Sequence, residues 1–324
     1  MRAWRVHAHG QHRDVLRLEE VPAPEPPVGG AVVRIEAAAL NFPDLLSIAG
    51  QYQVKAPLPF TPGIEAAGTV IRAGDRSRHR VGDRVIVSAP WGAFADELAA
   101  PDAQLLPWPA GLTAAEAASF VVTYHTGHLG LVHRARLRAG ETVLVHGGAG
   151  GVGIAAIQLA KASGATVIAT AGTDDKLTVC AAAGADHVVN YRGADWVSAV
   201  KALTGGRGAD VIYDPVGGDV FDQSLRCLAW EGRLLVIGFA SGRIPELKLN
   251  RVLLKNVDVI GLYWGAYQHH DPARVTATHA ALCDLVAAGA CRPLIWKELP
   301  LAELPAALTA LESRESHGKI AVVP

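Results

Sequence analysis

A chain of 324 residues is longer than one hydrophobic core usually supports, so two domains are expected. Half of the residues are hydrophobic, 19% are charged and the formal net charge is -1, which excludes a disordered chain, and no basic stretch suggests nucleic acid, the arginines at 72–84 reading as a solvated loop. No run approaches the roughly 20 apolar residues of a membrane span, and residues 1–7 have no apolar signal core, so a cytoplasmic protein is expected.

Residues 1–120 read as β-rich. Short strand candidates lie at 15–21, 31–38, 64–71, 83–87 and 94–99, separated by Gly and Pro clusters such as 22–27 and 57–59. Frequent turns between short strands predict a barrel or curled sheet. The run Thr113-Ala114-Ala115-Glu116 fits a capping box and opens an Ala-rich helix. From Glu141 the pattern alternates. Strands are predicted at 142–146, 166–170, 187–190, 209–213, 233–238 and 257–262, with helices at 152–163, 174–183, 195–203 and 220–230. Short, wholly apolar strands between helices predict a parallel sheet covered on both faces, the doubly wound architecture. Helices at 272–288 and 301–311 and a strand at 319–323 complete an α/β chain.

Strand 142–146 runs into Gly147-Gly148-Ala149-Gly150-Gly151-Val152-Gly153, and a helix follows at once. Gly148, Gly150 and Gly153 form G-x-G-x-x-G. The first glycine permits the tight turn, the second lets a phosphate touch the backbone, and the third lets helix and strand pack closely. With Gly151 and Val152 presenting helix-start N–H groups, this context predicts a dinucleotide pyrophosphate site. NAD enzymes usually carry an acidic residue at the tip of the second strand. Here the tip reads Ala169-Thr170-Ala171-Gly172-Thr173, and Asp174 and Asp175 suit the first turn of the next helix. Gly172 at the tip, Lys176 within reach of a 2′-phosphate, and Tyr191 and Arg192 on the same edge point to NADPH; the alternative for Lys176 is a solvated helix lysine. Val216, Gly217, Gly238 and Phe239 fall at the carboxyl ends of later strands, where such a sheet binds ligands, unless they serve tight turns alone.

Cys180, Cys227, Cys283 and Cys291 contain no C-x-x-C pair and read as buried free thiols.

Several segments together resemble the medium-chain dehydrogenase/reductase superfamily, in its zinc-free NADPH:quinone oxidoreductase branch. They are Ala39-Leu40-Asn41-Phe42-Pro43-Asp44, residues 59–68 (PFTPGIEAAG), Gly82-Asp83-Arg84-Val85, the glycine turn, residues 185–192 (ADHVVNYR) and Tyr213-Asp214-Pro215-Val216-Gly217-Gly218. The resemblance implies a GroES-like catalytic domain over residues 1–122 and a Rossmann domain over 123–262. A segment 263–324 would return to the catalytic domain, with the active site in the cleft between the two. Zinc-dependent members carry a catalytic Cys near Asn41 and a His in G-H-E. Here that tripeptide is Gly63-Ile64-Glu65, and no cysteine precedes Cys180. Isoleucine cannot ligate zinc. His125, His128 and His133 read as a fortuitous helix surface, so no metal is expected.

By the same resemblance, Asn41 lies beside the nicotinamide and hydrogen-bonds cofactor or substrate, unless it is a plain turn asparagine before Pro43. Tyr52 either donates a proton to the acceptor oxygen or packs under its loop. Thr126 contacts the nicotinamide end, although the family's Thr-Ala-Tyr is here Thr126-Gly127-His128. Trp264 walls the cleft or serves a core or dimer contact, and His317 approaches the cofactor. Glu65 and Asp214 read as structural hydrogen-bond formers. Strand 257–262 is expected to pair across a twofold axis in a homodimer. Without a Lewis acid, the favoured acceptors take hydride readily: quinones, and alkenes conjugated to a carbonyl. Quinone reduction by NADPH leads. Reduction of an activated C=C, as in enone or enoyl-thioester reductases, and NADPH binding without catalysis remain open.

Overall fold

The computed structural model describes every residue except Ala194. The chain divides into two compact units, one formed by Met1–Val122 with Pro293–Pro324 and the other by Thr123–Arg292. The return to the first unit therefore begins at Pro293, 30 residues beyond the expected 263. The reason lies in helix Pro272–Ala287. It buries Val275, Thr278, His279 and Leu282, and its contacts keep it in the second unit.

In the first unit the strands follow apolar runs that become buried on both faces. Gly30–Ala39 buries eight of its ten residues. The sheet order is Ile295–Pro300, Lys319–Val323, Gly30–Ala39, Glu65–Ala73, Arg84–Ser88, Leu105–Pro107, with Glu97–Pro101 also paired to Gly30–Ala39. A separate hairpin joins Arg2–Val6 to Leu16–Glu20. Its Trp4 Nε1 donates to Leu301 O at 2.7 Å, tying the first strand to the last segment of the chain. Trp4, Leu40, Ile48, Phe60, Phe94 and Leu304 share one core.

Sheet register sets up the first unit's polar centre. Strand Lys319–Val323 runs antiparallel to Gly30–Ala39 with Ala321 opposite Ala39. Strand Glu65–Ala73 flanks the other side with Ala66 opposite Ala38. Lys319, Asn41 and Glu65 are thus brought to adjacent strand ends.

The second unit holds six parallel strands: His187–Asn190, Thr166–Ala171, Thr142–Val145, Ala209–Asp214, Leu228–Val236 and Asp258–Gly261, in that spatial order. Numbered along the chain this is 3-2-1-4-5-6, with the order reversing between Thr142–Val145 and Ala209–Asp214. The predicted helix 220–230 stops at Cys227, and Leu228 opens the next strand. Apolar Leu225 and Leu228 continue the helical spacing past the true end, and parallel pairing of Leu228 with Ala209 wins. Residues 121–134 form one helical stretch wound in part with i→i+5 bonds, as in Ala135 N to Gly130 O at 2.8 Å. No helix among the described residues is long and apolar enough to cross a membrane.

Candidate active site

The glycine turn sits at the reversal point of the second unit's sheet. A Cβ on Gly153 would lie 2.3 Å from Gly147 O, and one on Gly148 would lie 2.8 Å from Cys180 Sγ and 3.0 Å from Ala169 Cβ. Packing alone demands glycine at both. Gly150 differs, because a Cβ there meets no heavy atom nearer than Gly147 O at 3.4 Å. Its bare backbone has no internal cause; it faces space that a ligand can enter. Gly150 is also the N-cap of helix Gly151–Ala162, and among the described residues no side chain caps that helix. The first-turn N–H groups of Gly151, Val152 and Gly153 have no intrahelical partner and present positive partial charge.

The tip of the second strand is closed by two side chains. A Cβ on Gly172 would fall 2.6 Å from Tyr191 Oη and 3.1 Å from Arg192 Nε. Thr173 caps the next helix through Lys176 N, which places Lys176 on its first turn. Asp174 accepts from Asn190 Nδ2 at 3.3 Å and, with Asp175, stands in the same turn. The tip therefore gathers Gly172, Tyr191 and Arg192, with Lys176 one turn away.

On the other side of the reversal point, Val216 and Gly217 donate their N–H groups to Asp214 Oδ1 at 2.8 and 3.0 Å. Burial pushes the Asp214 carboxyl up, and those two bonds oppose the shift. Asp214 is engaged by its own turn. Gly217 has φ of +66°, and a Cβ on it would lie 2.9 Å from Phe239 and 3.4 Å from Gly238 O. A Cβ on Gly147 would stand 3.7 Å from Val216, so Val216 adjoins the glycine turn and Gly217, Gly238 and Phe239 cluster beside it.

His146, which sequence reasoning passed over, supports this edge from below. Its Nδ1 lies 3.0 Å from Thr170 Oγ1 and its Nε2 2.9 Å from Ser224 Oγ. The Ser224 hydroxyl donates to Val220 O at 2.7 Å, so Nε2 carries the imidazole proton and donates to Ser224. Burial lowers the His146 pKa to about 3, which keeps the ring neutral.

Thr126 is buried on the i→i+5 helical stretch. Of the neighbouring histidines His133 is exposed and His128 half-buried, and His125 departs from the expected helix surface. His125 is fully buried, with Nε2 3.0 Å from His279 Nδ1 and its ring edge-on to Trp264 at 5.3 Å. Burial and the nearby His279 and His128 hold His125 well below the usual imidazole range. Trp264 is half-buried against that ring. No three His, Cys, Asp or Glu side chains among the described residues form a metal-ligand group.

In the first unit Asn41 precedes helix Phe42–Ile48, and its backbone N–H donates to Asp44 Oδ2 at 2.6 Å. Its side chain turns instead into a buried network. Asn41 Nδ2 donates to Glu65 Oε1 at 2.9 Å, while Lys319 Nζ donates to Asn41 Oδ1 at 2.6 Å, Glu65 Oε1 at 2.9 Å and Leu40 O at 2.7 Å. Glu65 Oε2 accepts Val122 N at 3.0 Å. Glu65 and Lys319 are both almost wholly buried, so this is an interior ion pair. Asp44 is buried beside it with Oδ1 lacking a hydrogen-bond partner, and burial raises its pKa to about 7. The spacing of Asn41 and Asp44, a helix-start pair three apart, was the available signal for Asp44. For Lys319, 254 residues from Glu65, no local signal exists.

Tyr52 is half-buried in the loop after this helix, with its N–H bonded to Leu46 O. His317 is half-buried, its ring 5.8 Å from that of Trp296. Asn41, Tyr52 and His317 thus belong to the first unit, and Thr126, Trp264 and all the glycine-turn and strand-end residues to the second.

Comparison with known proteins gives a consistent set of likenesses. Residues 28–110 match the model for the alcohol dehydrogenase GroES-like domain and residues 151–279 that for the zinc-binding dehydrogenase. A mouse protein named quinone oxidoreductase-like protein 2 is 41% identical over 309 residues, covering 94% of this chain and 88% of its own. The Escherichia coli quinone oxidoreductase complexed with NADPH is 30% identical with a TM-score of 0.92, covering 100% of both chains. A mycobacterial protein complexed with NADPH is 33% identical with a TM-score of 0.93 and the same coverage.

The Asp44 site makes a signed prediction. Its folded pKa of about 7 stands above the ordinary 3.8, so its contribution to stability is lost as pH rises from about 4 through about 7. Asp44→Asn keeps an acceptor for Asn41 N and removes the titration. Urea unfolding across this range is expected to show the variant gaining on wild type as pH rises. A constant difference would refute the raised pKa.

Proposed function

Because the chain belongs to the quinone oxidoreductase branch of the medium-chain dehydrogenase/reductase superfamily, we propose that it reduces quinones with NADPH, without a metal. The observation that carries the coenzyme part is Gly150. It is the one glycine of the fingerprint that packing does not require, and it lies at an uncapped helix start. Such a site accepts a pyrophosphate through backbone N–H groups of Gly151, Val152 and Gly153. Arg192 and Lys176, with the Tyr191 hydroxyl, suit a 2′-phosphate at the strand tip, and the two acids that would serve NAD stand in the helix turn instead. Val216, Gly217, Gly238 and Phe239 form the adjoining edge toward the nicotinamide half. When bound, NADPH supplies the hydride; the protein supplies position and exclusion of water.

The donor set does not fit catalytic zinc. No cysteine lies near Asn41, Ile64 stands in place of the histidine of G-H-E, and the remaining carboxylate, Glu65, is already paired with the Lys319 ammonium. A divalent cation there would face a buried positive charge. Acceptors that need no Lewis acid follow. Tyr52 is the residue proposed to donate to the acceptor oxygen, and Thr126, Trp264 and His317 are proposed to line the nicotinamide and acceptor end.

The test is NADPH oxidation against quinones, enones and enoyl thioesters, with zinc measured on the same preparation. Quinone turnover with well under one zinc per chain is expected. Turnover of the enones or thioesters alone would replace this reading with C=C reduction, and binding without any turnover would make the protein a coenzyme binder.

Coenzyme choice is separately testable. Lys176→Ala with Arg192→Ala should lower kcat/KM for NADPH by about tenfold or more, as for loss of charge-assisted phosphate bonds, and leave NADH nearly unchanged. Equal losses for both would remove these residues from the 2′-phosphate site.

The second unit also exposes an unpaired sheet edge, Asp258–Gly261, beside helix Asn250–Lys255, none of whose residues is buried. Leu249, Leu253 and Leu254 are 76%, 72% and 70% exposed. An open edge next to apolar side chains suits pairing with a second copy, so we propose a homodimer through this strand. Leu253→Glu with Leu254→Glu should convert a dimer to a monomer in light scattering. A wild-type monomer at micromolar concentration would refute it.

A further inference from the structure

The second unit holds a cavity that shares no lining residue with the proposed coenzyme site. Its volume is about 480 Å³, within the ~300–1,000 Å³ of small-molecule sites, and it lies between residues 128–136 and the start of helix Pro272–Ala287. The ionisable groups that line it are His128, His133, Arg136 and Arg274, while Val132 and Ala277 add apolar surface. No carboxylate stands among the described residues that line it. Among those residues Arg136 has neither an ion pair nor a side-chain hydrogen bond. Arg274 gives only its Nε to Asp271 Oδ2, at 3.2 Å, which leaves both terminal nitrogens open. His128 Nδ1 is buried without a hydrogen-bond partner, so Nε2 is the nitrogen a ligand can reach. His133 stands edge-on to the Tyr267 ring at 6.0 Å. Burial and the neighbouring His133 hold His128 below the usual imidazole range; burial, Arg274 and Arg134 do the same for His133, against Asp271. The carbonyls that end the helical stretch 121–134 would repel an anion, but Arg233 Nη1 covers Ala135 O at 2.8 Å.

We propose that this cavity is a second ligand site of the second unit, and that it takes a small phosphomonoester with a short apolar body. Two guanidinium groups reach it from different elements, Arg136 from the segment after residue 134 and Arg274 from the first turn of the facing helix. A carboxylate has two oxygens in one plane and is satisfied by one guanidinium. A phosphate ester has three terminal oxygens and two charges, which suit two guanidinium groups with imidazole donors between them. His128 and His133 each donate one N–H when neutral, and a bound dianion favours their protonated forms. Val132 and Ala277 offer the organic body of the ester an apolar surface, which a free phosphate ion has no use for. The proposal is independent of the coenzyme assignment, because none of these residues belongs to the glycine turn or to the strand tip.

Calorimetric titration with phenyl phosphate, inorganic phosphate and benzoate tests it on the full chain. Wild type should bind phenyl phosphate more tightly than either of the others. Arg136→Gln and Arg274→Gln should each weaken phenyl phosphate by about tenfold, the scale of a hydrogen bond to a charged group. Both side chains are exposed, as is Ala277, so these variants keep the fold. Ala277→Leu, which fills the apolar wall, should weaken phenyl phosphate and spare inorganic phosphate. Arg134→Gln removes an exposed charge beside the cavity but outside its lining, and should change little. Lys176→Ala with Arg192→Ala, at the strand tip, should also leave phenyl phosphate binding unchanged. No binding to wild type at millimolar concentration would overturn the proposal. So would equal losses in Arg134→Gln and Arg136→Gln, which would reduce the effect to net charge. Inorganic phosphate or benzoate binding as tightly as phenyl phosphate would overturn the ligand class and the proposal with it. Loss of binding in the strand-tip pair alone would move the phosphate to the coenzyme site and overturn the proposal while supporting that assignment.

Discussion

The first unit is organised around one buried ion pair, Lys319 with Glu65, joined through Asn41. Two charges withdrawn from water are tolerated only when geometry and further hydrogen bonds are good. Here both conditions hold. The ammonium has three acceptors, and the carboxylate takes Asn41, Lys319 and the N–H of Val122. Removing one partner alone would leave an uncompensated buried charge, at a cost of about 3–5 kcal/mol. That cost links three strand ends whose residues are far apart in sequence. It also explains why the chain must come back. The sheet is complete only when Lys319–Val323 docks between Gly30–Ala39 and Ile295–Pro300, and that docking delivers the cation. Asp44 completes the electrostatics: near its pKa of about 7, the network's net charge changes by one across neutral pH.

The second unit rests on a different constraint, close approach of backbone to backbone. Gly148 and Gly153 are fixed by contacts within the protein, and a methyl at either would collide. Gly150 is free of such contacts. The distinction separates the part of the fingerprint that makes the fold from the part that admits a ligand. His146 contributes in the same way as a structural brace. Its burial and two hydroxyl partners leave it neutral, so it holds the strand ends together without adding charge beneath an anion site.

Much of this was legible in the sequence where the determinants are local. The βα alternation, the glycine turn, the capping box at Thr113 and Glu116 and the strand Lys319–Val323 all depend on residues within a few positions of one another. What escaped depends on distant pairing. The strand Ile295–Pro300 reads poorly because its Lys-Glu pair and its proline break any apolar alternation, yet a parallel neighbour at Lys319–Val323 makes it a strand. The return point at Pro293 escaped because nothing within helix Pro272–Ala287 says which unit receives it, and the buried His279 contact with His125 decides. The same contact shows why histidine spacing misled. Residues three and five apart read as a wet helix face, which His133 keeps while His125 is buried against His279 and Trp264. Lys319 escaped because a lysine at the start of a strand reads as solvated by default, and nothing nearby in sequence announces a buried carboxylate.

These two constraints act in different units. The glycine turn and the strand tip are proposed to bind phosphates, which carry no information about the acceptor. The Lys319–Glu65–Asn41 network belongs to the first unit alone. A cation held in the protein interior by its own chain is permanent, unlike a metal that is loaded and lost, and it offers no open coordination position to an alcohol or carbonyl oxygen. It organises its neighbours but cannot polarise a substrate. An isoleucine in place of the histidine of G-H-E, beside a glutamate already paired with an ammonium, suits the chemistry of unactivated alcohols poorly. Acceptors that are electrophilic without help suit it better, which is the physical basis for proposing quinones first.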